Sequence, residues 1–88
     1  MILVTIYSFP PENREAVQAR FKEAKGDPPP AGIKLLGRWF AVGGGKGVHA
    51  CECDDPIAFA KWAQKWSDLM TIEIYPAMDD DGAAKLLA

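Results

Sequence analysis

The sequence predicts an α+β domain of β-α-β-β-α-β order, the ferredoxin-like plan, with two helices packed on one face of a four-stranded antiparallel sheet and a short further helix at the C-terminal end. Two observations point there. Four runs of β-branched, aromatic and aliphatic residues alternate in that order with two segments of helical periodicity, and the middle two runs flank the glycine cluster "GGGK", Gly43 to Lys46. With 88 residues and 49% hydrophobic content, residues 1–88 read as a single domain that buries about two-thirds of its unfolded surface, with no room for a second.

Each element has a local cause. Ile2 to Phe9 form a first strand that Pro10-Pro11 ends, because proline cannot continue a ladder. "PENREAVQARFKEAKG" is a first helix, with Val17, Phe21 and Ala24 on one face and Glu15, Gln18 and Lys22 opposite. Pro11 sits near its first turn and Gly26 follows its last. The three prolines of "DPPPAG" exclude helix and make an extended connector. "IKLLGRWFAV" and "GVHACEC" are strands two and three, joined by a glycine turn that accepts positive φ. Asp55-Pro56 starts a second helix, with aspartate as N-cap and proline at the first position, and Phe59, Trp62, Ala63 and Trp66 line its core face to an end near Ser67. "MTIEIYPAM" alternates as strand four, and Asp79-Asp80-Asp81 precedes a short helix over "GAAKLLA".

The sheet is apolar on both faces. Strand one offers Ile2, Val4 and Ile6 on one side and Leu3, Tyr7 and Phe9 on the other; strand two offers Ile33, Leu35 and Trp39 against Leu36, Phe40 and Val42. Two helices cover only one face. The other is a patch of several hundred Å², roughly the largest that monomers leave exposed. A second copy laid sheet to sheet covers it, giving a homodimeric α/β barrel of eight strands with room for side chains or one small ligand. A monomer that leaves the patch exposed, or covers it with its own C-terminal tail, is the alternative, and "GAAKLLA" suits packing on its own helices or on a neighbour.

Composition narrows the partners. Net charge is −2, pI is near 5.2, and the basic residues are scattered singly, so neither nucleic acid nor a membrane is an expected partner. "MILVTIYSF" is too short for a membrane span and lacks the flanks of a signal peptide. Cys51 and Cys53 are placed for no mutual disulfide. Together these predict a cytoplasmic protein.

The densest chemistry lies in "GRWFAVGGGKGVHACECDD", Gly37 to Asp55. "GGGKG" is not a phosphate loop, since its lysine is followed by glycine and it joins two strands. His49, Cys51 and Cys53 project from one side of a strand at ~7 Å intervals, too far apart to share one tetrahedral ion, so no metal is expected. "KGVHACEC" matches the start of an RNA-binding third strand at Lys46 and Gly47, but Val48, Ala50 and Glu52 stand where stacking aromatics belong. His49 and Cys51 are same-face neighbours, yet nothing marks the thiol as activated.

A ligand-lining set survives: Arg38, His49 and Glu52, polar groups on apolar strands, with Trp39 as a wall. A four-residue turn at Gly43 to Lys46 pairs Phe40 with His49 and Arg38 with Cys51, grouping Arg38 with His49 and leaving Glu52 opposite with Trp39. A one-residue slip groups Arg38 with Glu52 instead. Sequence leaves both open.

"KLLGRWF", "ECDDP", "WAQKWSDL" and "IYPAMDD" together resemble a small, mostly bacterial family, domain of unknown function 3303, over nearly the whole chain. The shared features are Gly37-Arg38-Trp39, Glu52 with Asp54-Asp55, Trp66, and Pro76 followed by acidic residues. The resemblance implies the dimeric α/β-barrel superfamily, which hosts small monooxygenases, isomerases, cyclases and ligand sensors, so it selects no function. Relatives carry histidine after "GRW", where this chain has Phe40.

The leading expectation is a homodimer, through the open sheet face, that binds a small, largely apolar molecule in a sheet-lined cavity without a cofactor. An alternative is a cofactor-independent monooxygenase or isomerase in which His49 or Glu52 moves a proton. A third is a structural dimer with a filled interior.

Overall fold

Residues 1–88 are described by a computed structural model. β1 (Ile2–Ser8) stops at the prolines, and one turn of 3-10 helix over Pro11–Asn13 leads into α1 (Arg14–Glu23). α1 is shorter than the "PENREAVQARFKEAKG" pattern suggests. Its end is set by three consecutive left-handed residues, Lys25, Gly26 and Asp27, with φ of 54°, 81° and 51°. β2 (Ile33–Phe40) and β3 (Lys46–Cys53) are joined by a turn in which Gly44 and Gly45 have φ of 79° and 78°.

The side chain of Asp55 accepts from the N–H groups of Ile57 at 3.0 Å and Ala58 at 3.2 Å, and α2 (Pro56–Gln64) starts there. It ends before Ser67, because the chain tightens into three-residue turns that bond Trp66 N to Ala63 O and Ser67 N to Gln64 O. β4 (Thr71–Ala77) follows. α3 (Asp80–Leu87) starts earlier than "GAAKLLA" implies, because Asp79 caps it at Gly82 N, 2.9 Å. Asp80 and Asp81 then enter its first turn, where negative charge meets the positive helix end.

The sheet order is β2-β3-β1-β4, and every neighbouring pair is antiparallel. This α+β arrangement is consistent with the ferredoxin-like plan. One irregularity matters. Leu35 pairs with Cys51 and Gly37 with Ala50, so two steps on β2 match one on β3 and Leu36 is the extra residue of a β-bulge.

The bulge changes which side chains share a face. Ile33, Leu35, Arg38 and Phe40 pair with Cys53, Cys51, His49 and Gly47, and these in turn with β1 on its Leu3, Thr5 and Tyr7 side. Trp39, expected beside Ile33 and Leu35, lies on the opposite face with Val48 and Ile6. The core of Leu3, Ile33, Cys51, Cys53, Phe59 and Trp62 fills one end of the space between sheet and helices. Toward the β2–β3 turn that space stays open.

Candidate functional site

Cross-strand pairing divides the helix-covered face into rungs. Leu35, Cys51, Leu3 and Pro76 form an apolar rung at the core; Arg38, His49, Thr5 and Ile74 form the next; Phe40, Gly47, Tyr7 and Ile72 form a third. Over the second and third rungs, beneath Val17 and Phe21 of α1 and Phe59 and Trp62 of α2, lies a cavity of about 470 Å³. Its size falls in the range of small-molecule sites.

His49 lines it at the end nearest the core. The ring stacks on Trp62 with centroids 5.3 Å apart and planes at 28°, meets Phe59 edge-on at 6.2 Å, and places Nδ1 3.6 Å from Cys51 Sγ. Burial, aided by the positive charge of Arg38, lowers its pKa to about 4. The imidazole is uncharged at neutral pH. Burial raises the Tyr7 phenol and the Cys51 thiol, so both stay protonated there.

Arg38 is positioned by the left-handed turn. Its guanidinium donates to the carbonyl oxygens of Gly26 and, at 3.0 Å, Asp27, and lies 5.8 Å from the Phe21 ring centre. Asp27 uses its carboxylate separately, accepting from Trp66 Nε1 at 3.0 Å. One residue thus joins α1, β2 and the end of α2. Two polar atoms over the polar rung are orphaned: Thr5 Oγ1 and Trp62 Nε1 are buried with no hydrogen-bond partner.

Of the four residues the sequence singles out, Arg38 and His49 pair directly and both line the cavity. The other two do not join them. Trp39 is 60% exposed on the open face, and Glu52, on the same face, accepts from the Met1 ammonium at 2.6 Å. This cavity therefore lies on the helix side of the sheet, and a second hollow, lined by Ile6, Trp39 and Val48, lies on the face expected to meet a second copy. Of the two proton-transfer candidates, only His49 borders the helix-side cavity. Phe40, where the resemblance puts histidine, also lines it.

Thr5 and Asp27 are not among the sequence-predicted site residues, and Tyr7 is read there only as part of an apolar face. Thr5 carried a readable signal as the one hydroxyl inside the apolar run Ile2 to Ile6. Asp27 carried almost none, since its role depends on a backbone conformation. Cys53 Sγ donates to Asp55 O at 3.1 Å, and no group of three or more His, Cys, Asp or Glu side chains is arranged to hold a metal ion. No helix is long and apolar enough to cross a membrane.

A family model described as domain of unknown function, DUF3303, matches residues 1–88. No curated protein and no solved structure matches the chain.

The His49 environment sets a pH dependence. Its ordinary pKa is 6.5 and its folded value about 4, so between these limits the unfolded chain binds a proton that the fold refuses. Stability therefore rises with pH through this window and is lost as pH falls from 6.5 toward 4. The loss is about 1–2 kcal/mol after allowance for solvent at the ring's outer edge. Urea midpoints at pH 7 and pH 5 should differ for the native chain and converge for His49→Phe; equal pH slopes would contradict the assignment.

Proposed function

The chain belongs to the DUF3303 family, and since that description assigns no activity, we propose from the site itself that it binds a small, largely apolar molecule in the cavity between its helices and its sheet. The observation that carries this reading is the open space itself, about 470 Å³ between sheet and helices, in the range of small-molecule sites. Aromatic rings give it walls, and Gly47 leaves room for the Tyr7 ring, which lies 2.2 Å from where a Cβ would stand.

Nile red, a neutral apolar dye, tests the cavity. It should gain fluorescence on binding the native protein and quench Trp62 and Trp66. Ala63→Phe, which fills the space from α2, should abolish both signals while leaving the circular dichroism unchanged. Dye binding that survives Ala63→Phe would place the apolar site elsewhere and defeat the reading.

A second copy of the chain is the proposed cover for the other face of the sheet. The chain exposes 6237 Å² at 9.6 kDa, where a compact monomer of that mass exposes roughly 5,100 Å². The excess of 6237 Å² over that figure, about 1,100 Å², is more than the ~800 Å² each partner contributes to a standard interface. Trp39 and Tyr75 are 60% and 50% exposed on that face, beside half-buried Ile2, Val4, Ile6 and Val48. α3 buries none of its residues and leaves Leu86 and Leu87 exposed, which adds apolar surface. Sedimentation should give twice the chain mass, and Ile6→Glu should give a folded monomer. A native chain that sediments as a monomer at tens of micromolar would refute the pairing.

A further inference from the structure

The charges around the cavity carry a second message, about the kind of molecule it takes. The chain has 12 acidic and 10 basic residues, yet the cavity is bordered by the cations of Lys22 and Arg38 and by only one carboxylate, that of Asp27. An acidic protein thus gathers positive charge at one place. Nor is that charge neutralised internally. The ion pairs of the chain join Met1 to Glu52 and Asp54, and Arg20 to Asp68, so neither of the two cavity cations has a carboxylate partner.

Asp27 is already engaged with the Trp66 indole. Arg38 donates to two backbone carbonyls, which are uncharged, and its fork has further N–H groups to offer. A partly buried guanidinium without a counter-ion is costly in a low-dielectric site, and it raises a local potential that attracts anions. His49, uncharged at neutral pH, does not add to this charge.

We infer that the cavity takes a small monoanionic amphiphile, an aromatic or aliphatic carboxylate whose acid group meets Arg38 and whose apolar body lies among Phe21, Trp62 and Trp66. The inference rests on the cavity being a binding site. Lys22 draws the anion toward the cavity, and Arg38 fixes it by charge-assisted hydrogen bonds.

Matched pairs of acid and amide separate charge from shape. Phenylacetate with phenylacetamide, cinnamate with cinnamamide, and octanoate with octanamide would be titrated into the native full chain at pH 7. Binding would be followed by saturation-transfer NMR and tryptophan fluorescence. The acids should bind about tenfold or more tightly than their amides. Arg38→Gln should remove that preference. Because Arg38 also holds the Gly26-Asp27 turn, the variant Lys22→Gln gives an independent test: the preference should fall several-fold with thermal melting unchanged. Acids and amides that bind alike would overturn the anion inference and leave the cavity reading standing. Failure of every pair to bind at millimolar concentration would overturn both.

Discussion

The extra residue in β2 decides what this sheet can do. A strand without a bulge alternates strictly, and Ile33 and Leu35, which reach the core, would then share their face with Gly37 and Trp39. The bulge at Leu36 reverses the alternation midway, so Arg38 turns toward the helices and Trp39 away from them. Gly37-Arg38-Trp39 then has a physical reading residue by residue. The Trp39 ring lies back over Gly37, where a Cβ would come within 2.3 Å of it, and Arg38 between them passes through to the other side to meet His49.

Bringing an arginine under the helices requires something to receive it. The three left-handed residues after α1 do this by turning the carbonyls of Gly26 and Asp27 toward the guanidinium. Lys25 has no glycine-like freedom, and such a conformation costs roughly 1–2 kcal/mol for an ordinary residue, less for aspartate. The bonds to Arg38 and the bond from Trp66 to Asp27 offset that cost and tie β2 and the end of α2 to the same short turn. Arg20 extends the tie with a two-pronged contact to Asp68 at 2.7 and 2.8 Å. The helices are thus anchored around the rim of the open space, so that it need not collapse as a fully packed core would.

Much of the architecture was legible in the residues. Four apolar runs, two helical stretches, the Asp55-Pro56 helix start and the glycine turn each act through local chemistry, and each formed near its expected bounds. The site was legible only in part. Arg38 and His49 stood out because polar groups on apolar strands demand partners, and the structure takes the grouping that joins them, though with Arg38 opposite His49 and Phe40 opposite Gly47 rather than the expected Cys51 and His49. Glu52 stood out for the same reason but lies with Trp39 on the open face, because its face is set by pairing that residue type does not encode. The Leu36 bulge was invisible for a like cause, since a leucine between Leu35 and Gly37 fits a regular strand equally well.

The two faces of the sheet therefore carry different chemistry: an apolar one with surface to spare, and a covered one with a cavity, uncommitted cations and unsatisfied polar atoms. Everything assigned to the cavity depends on Arg38 lying opposite His49. Interstrand nuclear Overhauser contacts in the labelled protein measure that directly. The account predicts backbone contacts between Arg38 and His49 and between Trp39 and Val48, together with contacts from the His49 ring to the Trp62 indole. Contacts that place Gly37 opposite His49 and Arg38 opposite Val48 would mean a strand without the bulge, with Arg38 on the open face and no polar site beneath the helices.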